Sequence, residues 1–204
     1  MKKFLKTFAF IVAILPALLG CGGKIRYPKY YTLNLPPAPD PPAQENVRTS
    51  IAVREFQSPS YLRQGPIVYR TTPEQLGFYE YHRWATDPRM LVTNAVLDHL
   101  RASGNFSQVS MYEGRPDSEY ILRGKLEKLE ELDYSGGVKV EVAMSAQITR
   151  IATGTTVWSN AVSEVGSVSQ RNVPGVVSQM NRTMDLAINK LLSTAPAPLA
   201  SDKH

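Results

Sequence analysis

The clearest pattern in the chain is a strict alternation of apolar and other residues from position 138 to position 149. A period of two places every second side chain on the same side of an extended strand, so this run predicts a strand with one buried side. A similar alternation begins at Tyr120, and Gly136–Gly137 between the two runs is typical of a hairpin turn. The apolar positions of the longer run are Val138, Val140, Val142, Met144, Ala146 and Ile148.

Shorter apolar runs predict further strands on either side of this hairpin. They lie at residues 50–56, 67–70, 78–83, 106–111 and 156–165. The end of the strand that begins at Tyr120 is open to two interpretations. Leu126, Leu129 and Leu132 continue a strand if the alternation shifts, and they also suit a short helix because they recur every three residues.

Two segments change to a helical period. Asp87–Pro88 supplies an N-cap followed by proline at the first helical position, and Ser103–Gly104 supplies a stop. The second helix, at the end of the domain, carries one apolar stripe that runs from Val173 to Leu191. Hairpins and two amphipathic helices together predict an α+β fold, an antiparallel sheet with both helices packed on one face.

The first twenty residues are predicted to be a lipoprotein signal peptide. Three lysines precede the apolar run 8–19, which would rise only about 18 Å as a helix and is therefore too short to span a bilayer. The run closes with Leu18–Leu19–Gly20–Cys21, which resembles the bacterial lipobox. We therefore expect cleavage between Gly20 and Cys21 and an S-diacylglycerol and an N-acyl chain on Cys21, which together anchor the protein stably in a membrane.

The mature chain is expected to have three parts. Residues 21–47 form a lipidated tether and linker with five prolines between positions 36 and 42, residues 48–193 form the packed domain, and residues 194–204 form a disordered tail. Gly22 follows the lipidated Cys, where enteric sorting uses Asp to retain a lipoprotein in the inner membrane. By that resemblance we expect the outer membrane, with the domain facing the periplasm.

Charge and motifs argue against several functions. The net charge is +5, but removal of Lys2, Lys3 and Lys6 with the signal leaves 20 basic against 18 acidic residues, so no nucleic-acid partner is indicated. The single Cys excludes a disulfide framework within the monomer. No metal, nucleophile or phosphate-binding motif is present, so neither catalysis nor a cofactor is expected. The acidic residues Glu127, Glu130, Glu131 and Asp133 are expected on a solvated face.

Aromatic residues are concentrated in the first part of the domain. Seven of the ten tyrosines lie between positions 27 and 81, interleaved with arginines. Tyr, Trp and Arg are enriched in protein interfaces, yet Tyr and Trp also pack well on sheets, and the two interpretations are equally compatible with the pattern. We assign Trp84 to the structure, as a wedge between the first helix and the sheet. The predicted partner surface is Tyr61, Leu62, Arg63, Tyr69, Arg70 and Tyr81.

Five short motifs in a fixed order resemble one family. Tyr30–Tyr31–Thr32–Leu33 follows the lipobox, and Ile51–Ala52–Val53 and the other three come after it. The chain resembles the ABC-type transport auxiliary lipoproteins, which include the PqiC-like proteins. The other motifs are Pro59–Ser60–Tyr61–Leu62–Arg63, Ile67–Val68–Tyr69–Arg70 and Arg83–Trp84–Ala85.

The resemblance implies a periplasmic lipoprotein without enzyme activity. It would work with an MCE-type lipid transport system, in which an ABC permease and ATPase feed a tunnel protein that carries MCE domains. We therefore expect a docking subunit for that tunnel at the outer membrane, and we leave self-association open. The alternative is an outer-membrane lipoprotein cofactor of envelope-polymer assembly, such as a cofactor of a cell-wall synthase. A periplasmic hydrolase is poorly supported.

Overall fold

The computed structural model describes residues 26–35, 49–114, 117–134 and 136–195. The predicted signal peptide, the Gly20–Cys21 cleavage and lipidation site and most of the predicted tether and tail lie outside these residues. Eight strands and two α-helices make up the described fold. The strands are β1 (Lys29–Tyr31), β2 (Ser50–Val53), β3 (Pro66–Arg70), β4 (Leu76–Trp84), β5 (Gln108–Met111), β6 (Tyr120–Asp133), β7 (Val138–Arg150) and β8 (Thr156–Ser167), and the helices are α1 (Pro88–Ser103) and α2 (Val173–Leu192).

All eight strands form one mixed sheet with β6 at its centre. One side of β6 pairs with β7 along its whole length, and β7 pairs with β8, both antiparallel. The other side of β6 is shared by β2 near its start and β3 near its end, both parallel. Strand β5 extends the sheet beyond β2, while β4 and then β1 extend it beyond β3. The α+β class is confirmed, but the prediction of an antiparallel sheet is wrong.

The two faces of the sheet differ in polarity. The apolar row of β7 points to what we call the core face, where it belongs to the same buried core as the apolar side chains of α1 and α2. On the opposite side, which we call the polar face, the same strand presents Lys139, Glu141, Ser145 and Gln147. The alternation read from the sequence therefore identifies the buried side of β7 correctly.

The helix ends follow their predicted chemistry. The Asp87 carboxylate accepts a hydrogen bond from the backbone N–H of Arg89 at 2.9 Å and caps α1. At the other end Gly104 has φ of 66°, a left-handed conformation in which glycine carries no Cβ penalty. The Asn172 side chain caps α2 by accepting from Gly175 N–H at 2.8 Å. Both helices therefore begin where the sequence predicts.

The start of the domain differs from the prediction. Lys29–Tyr31 pairs with His82–Trp84 as a parallel edge strand, and Leu33 is buried in the core. The folded domain therefore begins before residue 48, and the predicted tether contains part of the sheet. The strand was missed because a parallel edge strand of three residues has too few positions to show a period.

A β-bulge settles the open question in β6. The register of β6 against β7 shifts between Leu126 and Lys128, so one residue of β6 is left over at that point. Leu126 and Leu129 consequently reach the same core face although they are three positions apart. The strand interpretation is correct, and the helix-like spacing of these leucines results from the bulge.

Candidate partner-docking site

The six residues of the predicted partner surface lie in separate places. Tyr61 and Arg70 lie beside Glu130 on the polar face, Tyr69 lies on the core face, and Tyr81 lies near the β1 edge. Leu62 is only 2% exposed and belongs to the core, so its inclusion in a contact surface is corrected. Arg63 is exposed. The structure therefore does not unite the six residues in one surface.

Arg70 neutralises a buried carboxylate. Its Nε donates to Glu130 Oε1 at 2.7 Å, and Glu130 is completely buried. The bond to Glu130 raises the pKa of the Arg70 guanidinium, which therefore stays charged. Tyr61 donates its hydroxyl to the backbone oxygen of Glu127 at 3.3 Å, and burial, followed by the nearby Glu130, raises its pKa. Both side chains bond to the second half of β6, so their role is structural.

Tyr69 belongs to an aromatic cluster on the core face. Its ring centroid lies 5.0 Å from that of Tyr79, which in turn lies 5.7 Å from that of His82. Tyr31 of β1 stacks on His82 at 5.6 Å, and its hydroxyl lies 2.8 Å from His82 Nδ1. The cluster therefore ties the short edge strand β1 to β4 and β3. Burial, followed by the nearby Lys29, lowers the pKa of His82, which favours the neutral imidazole.

The cluster also encloses a second buried acid. Tyr79 donates its hydroxyl to Glu131 Oε2 at 2.8 Å, and Glu131 is 4% exposed. Burial is the main cause that raises the pKa of Glu131, with Asp133 adding to it and the Tyr79 bond opposing it. The predicted solvated face is thus wrong for Glu130 and Glu131, while Asp133 is exposed and Glu127 forms an ion pair with Lys125.

A patch of exposed and half-buried side chains lies at the β1–β4 edge. We call it the rim patch and define it as Arg26, Tyr27, Tyr30, Tyr81 and Arg83. Tyr27 and Tyr30 are 77% and 62% exposed. The Arg26 guanidinium lies 5.9 Å from the centroid of the Tyr81 ring, and Tyr30 is the register partner of Arg83. Arg83 donates to the backbone oxygen of Gln64, which places the exposed Arg63 at the border of the patch.

Most of the rim patch is not predicted from the sequence. Of its five residues only Tyr81 was predicted as a contact, although the tyrosines and Arg83 were part of the aromatic segment. The missing signal was β1, because Tyr30 and Tyr31 point to opposite faces once they lie on a strand. Tyr31 therefore belongs to the core-face cluster and Tyr30 is a surface residue. This difference could not be predicted while the segment was assigned to the tether, because a tether has no faces.

An open groove of about 620 Å³ lies on the polar face. It is lined by Arg54, Arg123, Lys125 and Gln147 and by small residues of β7 and β8, among them Ser145 and Ser159. The lining also includes Glu55, so three cations and one carboxylate give it a net positive charge. Its lining includes neither His nor Cys.

Among the described residues, no three His, Cys, Asp or Glu side chains are grouped so that they could hold a metal ion. The helices in the described part of the chain are all too short or too polar to cross a membrane.

The comparison with protein families identifies the chain. The family of ABC-type transport auxiliary lipoprotein components matches residues 31–191, which include every described strand and helix from the end of β1 to α2. The chain belongs to this family. None of the curated proteins matches its sequence.

Solved structures share the fold at low identity. A crystal structure of a Xanthomonas campestris protein of family DUF330 is 17% identical, with a TM-score of 0.69 over 80% of this chain and 92% of that one. A second crystal structure, of an uncharacterized protein, is 14% identical, with a TM-score of 0.64 over 82% of this chain and 98% of the other. At these identities the likeness establishes the fold.

Proposed function

We propose that this chain is a lipid-anchored, non-catalytic docking subunit of an MCE-type lipid transport system at the outer membrane. The observation that carries the proposal is the family match over residues 31–191, since the family consists of auxiliary lipoproteins of ABC-type transport. Gly22 after the predicted lipidated Cys21 supports the outer membrane, and the MCE-domain tunnel protein is the partner that the family resemblance implies.

The rim patch is the docking surface that we propose for this partner. It combines exposed tyrosines with arginines, the residue types enriched where protein interfaces are tightest. Arg63, next to Gln64, lies at the border of the patch.

The chain length between anchor and patch supports this location. Arg26 stands only five positions after Cys21 in the sequence. Five residues span at most about 17 Å, so an anchor on Cys21 would hold the rim patch close to the membrane surface. A tunnel that crosses the periplasm has to end at that surface.

The test is affinity purification of the full-length protein from cross-linked membranes. We expect recovery of an MCE-domain protein, whereas recovery of a cell-wall synthase without it would favour the alternative. The double variant Tyr30→Ala with Arg63→Ala should lose most of the partner, since an interface anchor contributes about 1–3 kcal/mol. Arg101→Ala is the matched control, because Arg101 is an exposed arginine at the end of α1. Equal recovery with the double variant would contradict the assignment of the rim patch.

The anchor itself has a separate test. Cys21→Ala should abolish attachment of diacylglycerol and leave an uncleaved or soluble form, because Cys21 is the only thiol in the chain. Mass spectrometry of the mature N-terminus measures this directly, and membrane fractionation of the parent protein checks the outer-membrane location. A mature N-terminus at another residue would refute lipidation at Cys21.

A further inference from the structure

The outer edge of β8 is long and has little of the usual protection. β8 pairs with β7 on one side, and none of the described residues pairs with its other side. Sheet edges are normally protected by lysine, proline, bulges or short length. β8 has twelve residues, none of them Lys, Arg or Pro, and its one charged side chain, Glu164, is already bonded to Lys190 at 2.6 Å. Its register irregularity lies near its start, between Thr156 and Trp158. The Ala161 N–H is bonded to the adjacent Asn160 side chain at 2.9 Å, a local bond that pairing with a second strand would replace.

Helix α2 places an exposed leucine above this edge. One stripe of the helix consists of residues three or four positions apart, which is about one turn of 3.6 residues. These residues are Gln179, Thr183, Leu186 and Lys190. The stripe faces β8, because Gln179 and Thr183 lie against Gly166 and Lys190 is bonded to Glu164. Leu186 lies on the same stripe and is 59% exposed.

The level of Leu186 along β8 follows from the contacts on either side of it. Thr183 lies against Gly166, and the Asn160 side-chain amide donates to the backbone oxygen of Leu191 at 2.9 Å. Leu186 lies between these two contact points on the helix, so it stands over the middle of β8, close to Val162. The exposed leucine therefore lies above the middle of the open edge.

We propose that two copies of this chain associate through β8, antiparallel and edge to edge, about a two-fold axis at Val162. α2 packs over both β7 and β8, and strands are about 4.8 Å apart. The two-fold axis lies half a strand spacing outside β8, and α2 lies about half a strand spacing inside it. The axes of the two α2 helices are then about 10 Å apart, which is the usual distance between packed helices. The strands and the helices of the two copies meet at the same time, and Leu186 of each copy lies at the axis.

The sequence of β8 suits this pairing with itself. With Val162 at the centre, Ala161 faces Ser163 of the second copy, Asn160 faces its Glu164 and Ser159 faces its Val165. No pair brings like charges together, and each Glu164 meets the neutral side chain of Asn160. On the polar face the side chains near the axis are small, so two sheets can continue side by side. These small residues are Ser159, Ala161, Ser163, Val165 and Ser167.

The first test is the mass of the full-length protein in detergent, measured by sedimentation over a range of protein concentrations. We expect a dimer for the parent protein. Leu186→Arg places two cations at the axis, and Ser163→Lys adds the protection that edge strands normally carry, so each should weaken association at least tenfold. Phe78→Arg is the matched control, since Phe78 is also a large exposed apolar residue but lies on β4. A monomeric parent, or equal weakening by Phe78→Arg, would overturn the proposal.

The second test locates the axis in intact membranes with a short bismaleimide cross-linker. Leu186→Cys should join two copies, because the two side chains meet at the axis. Ser178→Cys should not, since Ser178 lies eight residues earlier on the same exposed helix and the two copies of it would be roughly 24 Å apart. The parent protein, whose only cysteine is Cys21, shows the background. Equal cross-linking at positions 178 and 186 would refute this arrangement.

Discussion

Glu130 and Glu131 are neighbours in the sequence, yet the sheet separates them onto opposite faces and into opposite electrostatic environments. Glu130 is completely buried on the polar face and meets the guanidinium of Arg70. Glu131 is buried on the core face and meets the neutral hydroxyl of Tyr79. A cation stabilises the charged form of a carboxyl group, whereas a hydroxyl in an apolar cluster compensates burial incompletely. Equal burial therefore produces two different groups, an ion-paired carboxylate and a carboxyl whose pKa is raised.

The loss of a large apolar side chain from the core face should lower stability more than any change to the two glutamates. Trp84 is buried at the end of β4, and Trp84→Ala should lower the free energy of unfolding by about 3–5 kcal/mol as a large core truncation. Urea denaturation measures it. Tyr30→Ala removes an exposed aromatic ring next to Tyr31, the register partner of Trp84, and should change stability little. Similar losses for both variants would contradict the separation of core and surface at this edge.

Removal of the Arg70 cation tests the ion pair on the polar face. Arg70→Ala leaves the Glu130 carboxylate buried without its partner, and we expect a loss of about 3 kcal/mol, toward the lower end for buried pairs because the Arg70 side chain is partly exposed. Urea denaturation at pH 7 checks this. Arg70→Met combined with Glu130→Leu should recover much of the loss, since it removes the stranded charge. A double variant as unstable as Arg70→Ala would show that packing, not charge, causes the loss.

Glu131→Gln tests the raised pKa of Glu131 on the core face through the pH dependence of stability. Burial raises the pKa of Glu131 in the folded state, so its contribution to stability is complete below the unfolded pKa and is lost as pH rises through the folded pKa. The glutamine variant cannot ionise and still accepts the Tyr79 hydrogen bond. Relative to the parent it should therefore gain stability as pH rises above about 4.3, the pKa of an unperturbed glutamate, measured by urea denaturation at several pH values. A difference that does not change with pH would refute the raised pKa.

The smallest effect is expected at the border of the rim patch. Arg63 is exposed, so Arg63→Ala should change the free energy of unfolding by less than about 0.5 kcal/mol. Its effect should appear in recovery of the transport partner and leave the melting temperature almost unchanged. Loss of stability comparable to that of Arg70→Ala would mean that Arg63, like Arg70, has a structural role.

The sequence predicted the elements better than their arrangement. Asp87, Pro88 and Gly104 define α1 because capping is a local property of a few consecutive residues. Parallel pairing of β6 with β2 and β3 is a property of distant segments, and no local period reports it. An antiparallel sheet was therefore the natural but wrong prediction from visible hairpins.

The same distinction applies to the candidate site. Aromatic density indicated the right part of the chain, but the side chains that face solvent depend on β1 and on which side of β4 each residue lies. The bulge in β6 had a similar effect on the acidic cluster. Because it shifts the alternation by one position, Glu131 reaches the core face instead of the polar face. Neither the pairing of β1 nor the bulge in β6 can be predicted from composition or charge.

The shared side of β6 also bears on how the chain folds. β6, β7, β8 and α2 follow one another in the sequence and contact their immediate predecessors, so they can assemble through short-range contacts. β2 and β3 reach β6 only by closing loops of roughly 60 to 70 residues, which costs more conformational entropy. We therefore expect the C-terminal half to fold first and to serve as the template on which the N-terminal strands, and with them the rim patch, are completed last.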